Sequence, residues 1–195
     1  MHIGLYFGSF NPVHNGHLII AQHLLNETEL QQVWMVVSPQ NPFKPQKQLL
    51  NEYQRLHLLQ LALQNNDAIK AVDIEFRLPR PSYTIDTLTY LQEKYPNHRF
   101  SIIMGSDSLQ NLDKWKQGHL IMEQYPIYVY QRPGFAIPPH PCRQLQVLQA
   151  PLLEVSATYI RQLIRRGKSI RYLVPDAVVA EIEEAGYYRS QEPAE

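Results

Sequence analysis

The sequence predicts an α/β fold, with a doubly wound, mostly parallel sheet covered by helices on both faces. Six short apolar runs of strand character recur along the chain, and between the earlier ones lie segments whose apolar residues return every three or four positions. Short crossover helices between apolar strands set those strands parallel, and ligands in such sheets bind beyond the strand C-terminal ends. The supply of core agrees: 44% of the 195 residues are apolar, enough for one sizeable core, so residues 1–195 are expected to form a single domain.

The strands are expected at residues 2–7, 33–38, 69–74, 100–104, 127–130 and 146–148. Helices are expected at 16–26, where Leu18, Ala21, Leu24 and Leu25 share a face, and at 52–64, through Leu56, Leu59 and Leu63. A third is expected at 85–94, through Ile85, Leu88 and Leu91, with Ser82 or Thr84 able to cap it. A further helix follows Val155, with Ser156 at its N-cap and Gly167 closing it after Arg165 and Arg166. Residues 39–50 and 131–143 are proline-rich; the first reads as a flexible flap and the second as an irregular loop. The whole arrangement is Rossmann-like.

Composition narrows the partners. Eighteen basic and eighteen acidic residues give zero formal charge, which argues against a broad surface for nucleic acid or anionic membrane, so any phosphate ligand must be handled locally. The one cysteine, Cys142, permits no internal disulfide and reads as a spectator thiol in proline-rich sequence. Neither a signal peptide nor an apolar run near the roughly 18 to 20 residues of a membrane span is evident, so a cytoplasmic protein is expected. Oligomeric state has no signature.

The chemistry begins at Gly8-Ser9-Phe10-Asn11-Pro12-Val13-His14-Asn15-Gly16-His17, between the first strand and the first helix. Unpaired N–H groups and the positive end of the helix dipole favour phosphate there, and two imidazoles add donors. A histidine at a helix start can also be a cap or a packed side chain. Metal ligation is the poorer reading, because a structural zinc site wants four His or Cys ligands and no Cys pair accompanies these two. The segment resembles the HxGH signature of the nucleotidyltransferase superfamily, whose members attack a nucleoside triphosphate at its α-phosphate and expel pyrophosphate. Phe7 stands where that family commonly has a first glycine.

Other post-strand loops extend the resemblance. Lys44, in Pro42-Phe43-Lys44-Pro45, can pair with a ligand phosphate or be only a solvated loop lysine; Phe43 departs from the family's Pro-His-Lys, so no His role carries over. Ser82-Tyr83-Thr84-Ile85-Asp86-Thr87-Leu88 resembles a string of one branch, the nicotinate-nucleotide adenylyltransferases. That resemblance implies that Thr84, largely through its backbone, helps to hold a nicotinate carboxylate. The fourth strand ends in Met104-Gly105-Ser106-Asp107, where glycine lets a ligand approach and the carboxylate can accept ribose hydroxyls or cap a helix. Trp115, eight residues on, can be core; the branch implies instead that it stacks on the pyridine ring. Val155-Ser156-Ala157-Thr158-Tyr159-Ile160-Arg161 is similar to the superfamily's Ile-Ser-x-Thr-x-Ile-Arg signature, with Val155 for Ile.

The resemblance runs from Ile3 to about Ile182, including Tyr172-Leu173-Val174-Pro175-Asp176. It implies adenylyl transfer from ATP, with Mg²⁺, to nicotinate mononucleotide in the route to NAD. His14, His17 and Arg161 are the expected catalytic residues. Gly8, Ser9, Phe10, Gly105, Asp107, Ser156 and Thr158 are expected to join them around ATP, with Lys44, Thr84 and Trp115 around the nicotinate nucleotide. No nucleic acid or membrane partner is expected. Nicotinamide mononucleotide or phosphopantetheine as acceptor, or a nucleotide-binding module without turnover, are the alternatives.

Overall fold

The computed structural model of the protein describes residues 1–39, 49–64, 66–137, 142–151 and 153–189. Lys44 and most of the expected 39–50 flap lie outside the described residues. The strands are β1 (His2–Gly8), β2 (Gln32–Val37), β3 (Ile69–Val72), β4 (Arg99–Gly105), β5 (Ile127–Tyr130) and β6 (Leu145–Leu148). They form one sheet in the order β3-β2-β1-β4-β5-β6, parallel at every pairing. The chain winds outward from β1 to β3, then crosses back to β4 beside β1. Between β1 and β4 the connections therefore leave in opposite directions, which opens a crevice at the strand C-terminal ends.

The helices are α1 (Asn15–Glu27), α2 (Glu52–Ala62), α3 (Thr84–Lys94), α4 (Ser106–Leu109), α5 (Gly118–Gln124), α6 (Ala157–Arg165) and α7 (Asp176–Ala185). Successive strand residues face opposite sides of the sheet, and this divides the core in two. Tyr6, Val33, Met35, Val37 and Ile103 pack with Leu24, Leu58, Leu59, Ile160, Val178 and Ile182, so α1, α2, α6 and α7 cover one face. Leu5, Trp34, Val36, Ile102 and Met104 pack with Leu88, Leu91, Leu109 and Ile121, so α3, α4 and α5 cover the other. At about 1.5–3 kcal/mol for each large aliphatic side chain removed from water, these layers hold the site's elements in place.

Two expectations need correction. β3 stops at Val72 rather than continuing to residue 74, because the chain turns into a short 3₁₀ helix, Ile74–Arg77. That turn buries the Glu75 carboxyl, which accepts a 3.0 Å hydrogen bond from the Thr87 hydroxyl of α3. Neither Ser82 nor Thr84 caps α3. Tyr83 is the N-cap, with extended backbone and no side-chain cap, Thr84 is the first helical residue, and Ser82 is buried beside Glu75.

Candidate active site

The first wall of the crevice is the turn after β1. A Cβ on Gly8 would lie 2.7 Å from the Phe10 ring, so only glycine lets that ring fold back under the loop. Phe10 reaches this position with a left-handed backbone, φ 45. Its ring is buried and packs edge-on against Tyr6 and His17, at centroid distances of 5.8 and 5.1 Å. What Phe10 presents to a ligand is thus its backbone.

His14 caps α1 with extended backbone, and its N–H donates to Nδ1 of His17 at 3.2 Å. In the neutral His17 ring this leaves the proton on Nε2, the nitrogen able to donate elsewhere. The two rings stack at 3.7 Å between centroids. His14 is 7% exposed. Burial, helped by the nearby charge of Arg132, lowers its pKa to about 4, so at neutral pH it is an uncharged hydrogen-bonding group. Its Nδ1 is buried with no hydrogen-bond partner among the described residues. The start of α1 is tied down from a distance: Asn15 donates from its backbone to the Leu173 carbonyl (2.9 Å) and from its side chain to that of Tyr172 (2.7 Å).

The opposite wall follows β4. A Cβ at Gly105 would collide with the Asp107 carboxylate and lie 2.9 Å from Nε of Arg132, so glycine makes the room in which these two charged groups meet. They form an ion pair at 3.4 Å, and Arg132 also donates to the Tyr130 hydroxyl at 3.1 Å. The rim is the start of α6. Ser156 is its N-cap, with Oγ accepting from the Tyr159 N–H at 3.1 Å. Arg161, one turn on, donates to Thr158 Oγ1 (3.2 Å) and to the Asn11 carbonyl (2.7 Å), which fastens α6 to the β1–α1 turn. At the far end, Thr84 opens α3, and Trp115 lines the crevice while also packing against the second core. Lys116 beside it pairs with Asp86 at 2.9 Å and lies over the Tyr83 ring.

These groups enclose one cleft of about 840 Å³ at the C-terminal ends of β1 and β4. Every expected site residue within the described residues lines it; Lys44 alone lies outside them. Among the described residues no group of three or more His, Cys, Asp or Glu is placed to hold a metal.

The cytidylyltransferase-like family model matches residues 5–163. A Cytophaga hutchinsonii protein named "Probable nicotinate-nucleotide adenylyltransferase" is 49% identical over 191 residues, 96% of this chain and 98% of that protein. A Flavobacterium johnsoniae protein of the same name is 47% identical over 194 residues, 97% of this chain and all of that one. The chain belongs to the nicotinate-nucleotide adenylyltransferase family. The fold is also that of a Plasmodium falciparum nicotinic acid mononucleotide adenylyltransferase solved with NaAD, at a TM-score of 0.82 and 19% identity, covering 96% of this chain and 97% of that one.

Within this adenylyltransferase, two groups at the cleft escaped the sequence reading. Arg132 lies two residues past β5, and its post-strand place in Tyr130-Gln131-Arg132-Pro133-Gly134 was the available signal. Glu75 had none, because an acidic residue after an apolar run reads as solvent-facing. Among the described residues no helix is long and apolar enough to cross a membrane.

Proposed function

We propose that this protein transfers the adenylyl group of ATP to nicotinate mononucleotide, giving nicotinate adenine dinucleotide and pyrophosphate. The observation that carries the reading is the convergence of the His14–His17 turn, the α6 start and the uncapped α3 start with Trp115 on a single cleft. A phosphate oxygen of nicotinate mononucleotide attacks the α-phosphorus, the bond from that phosphorus to the bridging oxygen breaks, and pyrophosphate leaves with the electron pair. The attacking monoester is already ionised at neutral pH, so the work is alignment and charge stabilisation rather than proton removal.

His17 Nε2 and the neutral His14 donate toward the α-phosphate, and the Gly8 and Ser9 backbone lies beside them. Ser156, Thr158 and Arg161 take the β- and γ-phosphates, where Arg161 supplies the charge-assisted donors. Gly105 and Asp107 face the ribose. Mg²⁺ enters with ATP as the substrate complex, held by phosphate oxygens and water. The free N–H groups at the start of α3 suit a carboxylate, and Trp115 offers a flat face to a pyridine ring. Lys44 is proposed for the nucleotide phosphate, and the cytoplasm is the compartment the reading favours.

The test is pyrophosphate release with ATP and Mg²⁺ in parallel reactions containing nicotinate mononucleotide, nicotinamide mononucleotide or phosphopantetheine. Strong preference for the first is expected. Preference for another acceptor would overturn the pocket assignment, and no release with any would leave a binding module.

A further inference from the structure

Arg55 lies on the buried face of α2, beside Leu58 and Leu59, and is completely shielded from solvent. Its guanidinium donates to backbone carbonyls: Nε to Leu50 (2.8 Å), Nη1 to Ser9 (2.6 Å) and to Ser38 (2.9 Å), and Nη2 to Pro39 (3.2 Å). Among the described residues no ion pair joins it to a carboxylate, and the acid one turn away, Glu52, pairs with Arg80 at 2.6 Å. The Tyr188 phenol also feels Arg55, but burial pushes that phenol upward and it stays neutral. A guanidinium keeps its proton inside a protein; at hydrogen-bond distance it meets only neutral carbonyls among the described residues, and the one carboxylate that attracts it, Glu52, acts from beyond ion-pair distance and is shared with Arg80, so the buried charge is incompletely compensated.

The position of that charge gives it a use. Ser9 and Ser38 are the first residues after β1 and β2, so Arg55 sits directly behind the loop that faces the cleft. In a trans peptide the C=O and N–H point opposite ways, so while the Ser9 carbonyl faces Arg55 the N–H of the same peptide, on Phe10, points away from it. A charged donor on the carbonyl strengthens that N–H as a donor in turn. The same guanidinium holds Pro39 and Leu50, the residues on either side of the proline-rich segment, against the Ser9 turn. Leu50 is tied in again, its N–H donating to the Asn11 side chain at 3.2 Å.

We propose that Arg55 is the positioning residue for the triphosphate: it fixes the Ser9 turn and both ends of the following loop, and its buried charge takes the phosphates of bound ATP as counter-ion. The proposal rests on the adenylyl-transfer reading for the identity of that ligand. A lysine keeps the charge but has one nitrogen and cannot span the four carbonyls, and a methionine keeps only the shape.

The test uses Arg55→Lys and Arg55→Met in the full chain, with folding followed by circular dichroism. KM for ATP is expected to rise about 10-fold in the lysine variant and about 100-fold in the methionine variant, with KM for nicotinate mononucleotide held within about 3-fold. Thermal stabilisation by inorganic tripolyphosphate should fall in the same order. Equal rises in both KM values, an unchanged KM for ATP, or failure of both variants to fold would make Arg55 a core residue only. Tripolyphosphate separates this from the parent reading. Its binding lost in the methionine variant while the wild type lacks turnover would sink the reaction and keep the phosphate role of Arg55; binding retained beside normal wild-type turnover would sink Arg55 alone.

Discussion

His14 and His17 share one stack, yet the structure gives them different electrostatic parts. The His14 N–H donates to Nδ1 of His17, which sets the proton of the neutral ring on Nε2. His17→Ala should therefore lower turnover by about 10²-fold or more, the scale of a lost transition-state donor, while circular dichroism shows an intact fold. Near wild-type turnover would remove His17 from the chemistry. His14 is held neutral by burial, with its pKa lowered from 6.5 to about 4. The unfolded chain binds that proton more readily, so the contribution of His14 to stability is full above pH 6.5 and is lost as the pH falls toward 4. Denaturant melts at pH 7 and pH 5 should show a loss of about 2 kcal/mol in the wild type that is missing in His14→Gln. Equal losses in both would contradict the buried, neutral ring. The contiguous motifs at residues 8–17 and 155–161 were legible in the sequence because each forms its wall of the cleft locally. Arg55 and Arg132 were not, since what each does depends on partners brought from other elements, such as Ser9 and Asp107.

At the scale of elements, α6 performs two tasks at one residue. Ser156 caps the helix through the Tyr159 N–H and also lines the cleft. Ser156→Asp separates them, because aspartate is as good a cap but places a negative charge where the phosphates are proposed to lie. Its unfolding free energy should stay within about 0.5 kcal/mol of wild type while KM for ATP rises at least about 10-fold. An unchanged KM would place the phosphates elsewhere. Ser156→Ala, which loses the cap itself, should cost about 1 kcal/mol. The strands were readable as short apolar runs, with β2, β4 and β5 covered on both faces, α1, α2 and α3 by their apolar spacing, and α6 by its cap and closing glycine, whereas α7 was not anticipated. α4, a single turn, and α5, entered through Gln117 in a left-handed conformation and packed so closely that a Cβ on Gly118 would meet the Leu112 carbonyl, are too short for periodicity to register. The uncapped start of α3 was misread because Ser82 and Thr84 both suit a cap by type, and only the buried Glu75 shows why Ser82 turns inward.

Across the whole molecule, zero net charge leaves an anionic substrate pair to be met by local groups. Arg161 and Arg132 line the cleft, Arg55 lies behind the turn after β1, and the starts of α1 and α6 open onto it. The reversal of winding between β1 and β4 puts that cleft where the connections diverge and open a crevice at the strand C-terminal ends. A site beyond the strand C-terminal ends followed from the alternation of strands and helices, whereas the strand order and the pairing of α6 with the β1 turn through Arg161 and Asn11 required the folded chain. The central claim is that the α-phosphorus of ATP is transferred to nicotinate mononucleotide here. Reaction with ATP labelled at the α-phosphate tests it most directly. The label should appear wholly in nicotinate adenine dinucleotide, with unlabelled pyrophosphate released in equal amount; label recovered as AMP or ADP, or left in ATP while the acceptor is present, would contradict it.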